Sequence, residues 1–347
     1  MNQRDSSLDL MRVIGVLLIM IAHAEPPEWL DQLRNFGTPL LIVASGATYA
    51  SIYRFKSLEA LPFLRKRISR LILPAWAFLA FFFLFFYFVA KVTGKNYPFD
   101  LVTIASSFTL SGGIGYVWIL NIYLFMALIT PIAFRAKQSI PSRSSYFSFI
   151  AAAYLLYELM LRIVSPYVPG QLVQTMNFVV FAYVPYALLY LYGLRLGELS
   201  NKQVAIAGAV SLVLFAGMAI HFWITGGSFV RTQNFKYPPT FYYLSYAFFA
   251  LNATYLLCRK FFMDKKSNMV LWLSTHSLWI YLWHILAIYL LSFSMGIFQR
   301  TLFASLLRIA FLLGFAVCLT YMQSWWVGKD LSKNDNSALR GLAKLLV

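Results

Sequence analysis

Residues 8–27 read LDLMRVIGVLLIMIAHAEPP, and this stretch decides the fold class. Between Leu10 and Ala24 the run is apolar except for two ionisable side chains, Arg12 and His23. A run of this length is long enough to cross the hydrocarbon core of a bilayer as a helix. Because ionisable groups are costly in lipid, we expect Arg12 and His23 to face the interior of a helical bundle or a water-filled cavity.

The composition of the whole chain extends this interpretation to a protein with many membrane spans. Of the 347 residues, 60% are hydrophobic and 12% are charged, whereas soluble domains carry about 25% charged residues. The net charge of +17 is scattered between apolar runs, so it indicates membrane topology and not nucleic-acid binding. Both cysteines, Cys258 and Cys318, lie in apolar runs and predict neither a disulfide nor a metal site.

We predict an all-α integral membrane protein, with a bundle of about ten transmembrane helices over residues 1–326 and a cytoplasmic C-terminal tail over 327–347. If both termini are cytoplasmic, the inner segments hold 20 Lys and Arg residues and the outer segments hold 7, which fits the positive-inside rule. An alternative makes residues 13–22 the core of a cleaved signal peptide, although Asp5 and Asp9 argue against it. The predicted spans are 8–24, 36–53, 70–92, 114–134, 145–164, 174–197, 203–225, 240–258, 269–292 and 304–326.

The spacing of Arg12 and His23 predicts one helix face that carries both groups. Eleven residues make almost three helical turns, so the two side chains lie about 16 Å apart along the axis. The alternative is that Arg12 only pairs with Asp9, three residues earlier, while His23 only caps the outer end of the helix. Both interpretations stay open on this segment alone.

A second stretch, STHSLWIYLWHILAI, places Ser277, Tyr281 and His284 on one stripe of the ninth predicted span. Counted from Met269 along a straight helix, His284 lies about 22 Å from the inner edge, which is the depth of His23. Two histidines at one depth, together with hydroxyl groups, favour a shared site over isolated packing residues.

A third stretch, RKRISRLILP, forms a basic cluster in the loop between the second and third predicted spans. Its cations, among them Arg65, Arg67 and Arg70, are sufficiently explained as topology signals. Their functional alternative is to bind a multiply charged phosphate group.

Other candidate residues have ordinary explanations. Glu158 is predicted to pair with Arg162 one turn along the fifth span, and Glu25 either orients an imidazole or faces water. Tyr116 and Trp118 are typical of an interfacial aromatic belt. His221 and His276 are interpreted as structural, and no metal site is expected.

Taken together, these motifs resemble the acyltransferase 3 family of bacterial membrane proteins. Asp9-x-x-Arg12, followed by ten residues and His23, is similar to the family's Arg-x10-His signature. The resemblance continues in order through Ser45-Gly46, KRISRLILPAW, GGIGYVWIL over 112–120 and SLWIYLWH. It implies ten helices, and it implies acyl transfer from cytoplasmic acyl-coenzyme A to an acceptor on the outer side, commonly a sugar hydroxyl.

From this resemblance we expect an O-acyltransferase of the bacterial inner (plasma) membrane that moves an acetyl or other short acyl group onto an extracytoplasmic or lipid-linked glycan. His23 is expected to be a general base or a transient acyl carrier, and Arg12 completes the functional pair. Acyl-coenzyme A is a co-substrate and no cofactor is expected to be bound permanently; whether the chain forms homo-oligomers stays open. The expected donor-binding residues are Arg12, Arg65, Arg67 and Arg70, and the expected acceptor-binding residues are Tyr116, Trp118, Asn121, Ser277, Tyr281 and His284. The competing hypothesis is a transporter or flippase for an anionic or glycolipid solute.

Overall fold

The structure is a computed structural model that describes residues 5–54, 57–163, 165–167, 181–263, 265–294, 301–327 and 329. Within these ranges the regular structure is helical, with thirteen α-helices and two short 3-10 turns, Ser165–Tyr167 and Thr232–Phe235. The predicted C-terminal tail lies almost wholly outside the described residues. The helices are α1 Ser6–Ala22, α2 Glu28–Leu33, α3 Gly37–Ile52, α4 Ala60–Thr93, α5 Leu101–Phe108, α6 Trp118–Ser139, α7 Arg143–Ile163, α8 Val184–Leu196, α9 Asn201–Gly226, α10 Phe241–Phe262, α11 Asn268–Thr275, α12 Ser277–Ser294 and α13 Leu302–Trp326.

The all-helical prediction is confirmed for the part of the chain that the structure describes, where nine of the ten predicted spans coincide with a helix or a helix pair. The tenth, 174–197, contains α8, but its residues 174–180 lie outside the described ranges. Five helices, α4, α6, α7, α9 and α13, are individually long and apolar enough to cross a bilayer. The α11–α12 pair meets the same test as one span, although it is bent by 67°. That all ten segments cross a membrane, and that both termini are cytoplasmic, stays a prediction.

The bend corrects the prediction of one straight span over 269–292. Helix α11 ends at Thr275, α12 begins at Ser277, and His276 between them is not helical. The depth assigned to His284 by counting from Met269 is therefore wrong, because the rise per residue accumulates only along a straight helix. The sequence has neither glycine nor proline at the break. The hydropathy profile over 269–292 therefore shows a single apolar run and does not indicate the bend.

The basic stretch RKRISRLILP also differs from its prediction, because it is helical and is not a loop. It occupies the start of α4, which has 34 residues and is therefore about 51 Å long. A hydrocarbon core is only about 30 Å thick, so the helix has several turns to spare. Those extra turns accommodate the basic cluster at the end of a span without placing it in lipid.

The chain divides into two compact units, which are described separately. The first comprises residues 1–22, 26–58 and 129–274. Its centre is a backbone-to-backbone contact between α3 and α8, where a Cβ atom at Gly46 would lie 2.5 Å from the Tyr190 carbonyl oxygen. A Cβ atom at Gly193 would lie 2.4 Å from the Val43 carbonyl oxygen. Small residues permit such close helix packing inside membranes, which gives Gly46 of the Ser45-Gly46 motif a structural reason.

The predicted ion pair between Glu158 and Arg162 is confirmed within this unit. Arg162 Nε donates to Glu158 Oε1 at 3.0 Å, and the second carboxylate oxygen accepts the backbone N–H of Phe241 at 3.1 Å. Because Phe241 is the first residue of α10, the carboxylate also binds an otherwise unsatisfied amide of that helix. Glu158 therefore has a structural role.

The second unit comprises residues 23–25, 59–128 and 275–347. Helix α12 contacts α13, where Trp283 Nε1 donates to Gln323 Oε1 at 2.7 Å. Aromatic rings connect α12 to α4 and to the segment that follows it. The Tyr289 ring centroid lies 5.0 Å from that of Phe82, on α4, and 5.6 Å from that of Phe99, after α4. This aromatic packing fixes α12, and α12 carries His284.

Candidate active site

His23 lies in a turn that directly follows the last residue of α1. Its ring centroid is 4.7 Å from that of Tyr116, in an edge-to-face arrangement, and 5.5 Å from that of His284. The structure therefore brings together the two histidines that the sequence placed in one site. It also corrects the shared-face argument, because α1 ends at Ala22 and helical periodicity does not set the direction of the His23 side chain.

His284 is fully buried on α12, whereas His23 is only partly buried. The Nδ1 atom of His284 contacts the backbone carbonyl oxygen of Tyr281. Since a carbonyl oxygen only accepts hydrogen bonds, we assign the proton to Nδ1, which leaves Nε2 of the neutral ring as an acceptor. None of the described residues donates a hydrogen bond to that Nε2 atom. A buried acceptor is thus present beside the more accessible imidazole.

Tyr281 holds Tyr116 in place beside His23. Its hydroxyl donates to the backbone carbonyl oxygen of Tyr116, which lies just before α6. The Tyr116 ring also contacts the ring of Tyr289, with centroids 6.0 Å apart. Tyr281 was expected to line the acceptor site, but its hydroxyl is used to position a neighbour. Burial, with a smaller contribution from the charge of Glu25, raises the pKa of Tyr116, so its phenol remains a hydrogen-bond donor at neutral pH.

The backbone that carries His23 is held by α13. Arg308 donates to Glu25 Oε2 at 2.6 Å, and the Ser305 hydroxyl donates to the Glu25 carbonyl oxygen at 3.0 Å. Glu25 adopts a left-handed conformation, with φ of +50°. Sequence reasoning considered only an imidazole or water as partners for Glu25 and did not assign Arg308 or Ser305 a role. The sequence feature that could have indicated this contact is Arg308 itself, because an arginine inside an apolar span needs a partner.

Arg12 belongs to the first unit and is supported there by a buried carboxylate. Its NH1 atom lies 3.5 Å from Asp9 Oδ1, and the Ser274 hydroxyl donates to that same oxygen at 2.7 Å. The pairing with Asp9, which belonged to the alternative interpretation of Arg12, is present. The Arg12 side chain remains 23% exposed, whereas that of Asp9 is only 6% exposed. The carboxylate thus anchors a guanidinium that still reaches its surroundings, and Ser274 is a positioning residue that the sequence did not reveal.

The remaining predicted acceptor-binding residues lie within the second unit. Trp118 begins α6 and Ser277 begins α12, and both are partly buried. The Asn121 side-chain amide donates to the Leu110 carbonyl oxygen at 3.1 Å, so its nitrogen anchors the preceding loop. Among the predicted set, the rings of Tyr116 and His284 contact that of His23.

The predicted donor-binding arginines lie on the first turns of α4. Arg65 and Arg70 are exposed and Arg67 is partly buried. Helical geometry places Arg67 and Arg70 about 60° apart on one face, whereas Arg65 projects roughly 140–160° from both. Only Arg67 and Arg70 can therefore approach one phosphate group from the same side. In the described ranges, no group of three or more His, Cys, Asp or Glu side chains is arranged to hold a metal ion.

Neither curated proteins nor solved structures show a match to the chain. A family model described as an acyltransferase domain matches residues 5–324, which is nearly the whole chain. The match includes His23, Tyr116 and His284. The protein is therefore a member of the acyltransferase 3 family.

Proposed function

We propose that this acyltransferase is an O-acyltransferase of the bacterial inner membrane, which moves an acetyl or other short acyl group from cytoplasmic acyl-coenzyme A to a hydroxyl of an extracytoplasmic or lipid-linked glycan. Family membership supports acyl transfer and a membrane location. The single observation that carries the chemistry is the cluster of His23, Tyr116 and His284. It combines a partly accessible imidazole, a phenol donor and a buried imidazole acceptor.

In the proposed reaction His23 acts as the general base. It takes the proton of the acceptor hydroxyl while that oxygen attacks the thioester carbonyl carbon. The new C–O bond forms, the C–S bond breaks, and the imidazolium returns the proton to the thiolate of coenzyme A. The Tyr116 hydroxyl donates a hydrogen bond to the oxyanion that develops on the carbonyl. His284 Nε2, to which no described residue donates, is assigned the role of accepting a hydrogen bond from the His23 ring once that ring is protonated.

The donor end of the reaction is assigned to Arg12 and to the pair Arg67 and Arg70, which are considered separately. Asp9 and Ser274 hold Arg12, and the family resemblance makes Arg12 part of the functional pair. Arg67 and Arg70 share a face of α4 in the turns beyond the length that a bilayer requires. Guanidinium groups bind phosphates well, so this face is proposed to bind the phosphates of coenzyme A.

The test uses the purified full-length protein in nanodiscs with radiolabelled acetyl-coenzyme A and candidate bacterial glycans. We expect label to reach the glycan with the wild type and with the control His221→Ala, which changes an exposed histidine on α9, but not with His23→Ala. Equal transfer by His23→Ala would remove His23 from the mechanism. Label that stays on the wild-type protein would instead indicate an acyl-histidine intermediate.

A second measurement separates acyl transfer from transport. Replacing Arg67 and Arg70 by Gln is expected to weaken binding of acetyl-coenzyme A, because two phosphate contacts are removed. The matched control replaces Lys265 and Lys266, which are exposed cations of the first unit, by Gln. If the wild type binds no acetyl-coenzyme A at all, a carrier of an anionic or glycolipid solute becomes the better hypothesis.

A further inference from the structure

A second cluster of buried charge lies in the first unit, between α2 and the segment that precedes α10. Lys236, after the 3-10 turn Thr232–Phe235, is 7% exposed, and Arg34, directly after α2, is 8% exposed. Lysine and arginine are almost never buried without a partner. We call Asp31, Arg34, Lys236 and Tyr237 the Arg34–Lys236 cluster.

The carboxylate of the cluster, Asp31, contacts Arg34. Arg34 Nε donates to Asp31 Oδ1 at 2.9 Å, and its NH2 group contacts the same oxygen. The other Asp31 oxygen lies 3.9 Å from Arg231, which also pairs with Glu28 at 3.3 Å. No described residue accepts a hydrogen bond from the Lys236 ammonium, and its nearest aromatic contact is the Tyr237 ring, 5.3 Å from Nζ to the centroid. Three cations, Arg34, Lys236 and Arg231, are therefore accompanied by only two carboxylates, Asp31 and Glu28.

The pKa of Lys236 is affected by its burial among these charges. Burial, with a smaller contribution from the positive charge of Arg34, lowers the pKa of Lys236 to about 7, although Asp31 opposes the shift. Lys236 lies between α9 and α10, outside the helices that are long enough to span the membrane. A negatively charged group placed beside this ammonium would restore its charged form.

Buried polar atoms next to the cluster also lack partners. Asn35 is 1% exposed and donates to Thr232 Oγ1 at 2.9 Å, but no described residue donates to its own Oδ1 atom. Gln32 Oε1 accepts from the backbone N–H and the hydroxyl of Thr232, whereas its Nε2 atom has no described acceptor, and Gln233 Oε1 has no described donor. Buried unsatisfied groups are rare in native proteins. Their concentration around one segment favours a hydroxyl-bearing occupant.

We propose that the Arg34–Lys236 cluster binds the anionic group, a carboxylate or a phosphate, of a ligand that also carries hydroxyl groups. The Lys236 ammonium has three N–H donors, and the guanidinium of Arg34 has donors beyond those that contact Asp31. Together they supply charge-assisted hydrogen bonds to two oxygens of one anion. An acidic saccharide and an anionic lipid headgroup share this chemistry. That the site would select an acidic glycan as acyl acceptor rests on the proposed function, whereas the binding itself does not.

The proposal predicts a defined pH dependence. An anion favours the ammonium form, so above pH 7 binding must take up a proton, and affinity falls by up to about tenfold per pH unit. Below pH 7 Lys236 is already charged and affinity levels off. The groups that face Lys236 do not mimic this profile between pH 6 and 9. Arginine stays charged, carboxylates titrate at lower pH, and the pKa of an ordinary tyrosine phenol such as Tyr237 is about 10, above this range.

The test measures binding to the full-length protein in two arms. In the first arm, calorimetry in phosphatidylcholine nanodiscs compares D-glucuronate with the neutral sugar methyl glucoside from pH 6 to 9. In the second arm, retention of phosphatidylglycerol is compared with retention of phosphatidylcholine during purification. The variants are Lys236→Gln and Lys236→Met, and the matched control is Lys260→Gln. Lys260 is an exposed lysine whose Nζ lies 5.5 Å from the Phe261 ring centroid.

We expect D-glucuronate to bind the wild type and Lys260→Gln, and to bind both Lys236 variants at least tenfold more weakly, with affinity declining above pH 7. Retention of phosphatidylglycerol that depends on Lys236 would also support the site and would identify a lipid headgroup as the ligand. Binding in neither arm, or anion binding that ignores Lys236 in a variant with a wild-type melting profile, would overturn the proposal. A protein that binds D-glucuronate but transfers no acyl group would refute the proposed function and leave this site intact.

Discussion

The ion pair between Arg308 and Glu25 gives the sharpest test of how His23 is positioned. Glu25 is two residues from His23 and adopts a left-handed backbone conformation with φ of +50°. Such a conformation costs a non-glycine residue about 1–2 kcal/mol. Arg308 binds its carboxylate, and Ser305 binds its carbonyl oxygen. We predict that Arg308→Met allows the turn to relax and removes His23 from its working position for much of the time.

The size of the effect follows from the geometry of the pair. A hydrogen bond to a charged group contributes about 1.5–3 kcal/mol. The Glu25 side chain is 50% exposed while that of Arg308 is 14% exposed, so water screens part of the interaction. We therefore expect the lower end of the range, about 1–2 kcal/mol. Since 1.4 kcal/mol corresponds to a factor of ten, kcat should fall by about 5- to 30-fold.

The assay is steady-state acyl transfer with kcat and KM determined separately. KM for acetyl-coenzyme A should not change, because the turn carries the proposed base and none of the proposed donor-binding cations. A double-mutant cycle with Glu25→Gln should give a coupling energy of about 1–2 kcal/mol. The control is Arg162→Met, which removes an arginine from a comparable ion pair in the other unit. Wild-type kcat in Arg308→Met, or zero coupling to Glu25, would refute this account of the turn.

Three further predictions concern separate parts of the molecule. Ser274→Ala removes the 2.7 Å hydrogen bond to the buried Asp9 carboxylate. It should weaken acetyl-coenzyme A binding and lower the unfolding free energy by about 1.5–3 kcal/mol. Unchanged binding would show that Arg12 needs no such support. Gly46→Ala forces a Cβ atom to within 2.5 Å of a backbone oxygen, so the melting temperature in detergent should fall markedly, whereas Gly314→Ala, with nothing within 4 Å, should leave it unchanged. Tyr116→Phe removes the proposed oxyanion donor and should lower kcat by up to about 10²- to 10³-fold. Because burial raises the pKa of Tyr116, ionisation of its phenol should not reduce wild-type kcat below pH 10, and a phenol-dependent decline in that range would contradict the assignment.

The positions of the helices could be predicted from the sequence because each depends on local composition. Apolar runs of helical length coincide with α1, α3 and most of the later helices, and their limits agree to within a few residues except at α4 and α8. The span predicted at α8 begins at residue 174, outside the described ranges. The juxtaposition of His23 and His284 was also predicted, since ionisable groups in apolar spans are expected to share polar surroundings. The reasoning through equal depth was nevertheless wrong, because it required α11 and α12 to be one straight helix.

The supports of the site could not be read from the sequence, because they join residues that are far apart in the chain. Ser274 meets Asp9 across 265 positions, and Arg308 meets Glu25 across 283 positions. No local pattern specifies which of many hydroxyls or cations will pack against a given carboxylate. Arg308 could have been singled out as an arginine inside a span, but its partner depends on helix packing.

The end of α1 changes what the Arg-x10-His spacing means physically. If His23 were helical, the direction of its imidazole would follow from the eleven-residue interval, and any substitution that kept the helix would preserve it. Because α1 ends at Ala22, the interval fixes only how much helix separates Arg12 from the turn, about 15 Å from Arg12 to Ala22. The direction of the imidazole is set by Tyr116 against its ring and by α13 holding Glu25. The Arg-x10-His signature therefore depends on two separable requirements, a helix of fixed length and a turn held by a distant helix. We expect variants that disturb the helix and variants that disturb the turn to change different kinetic parameters.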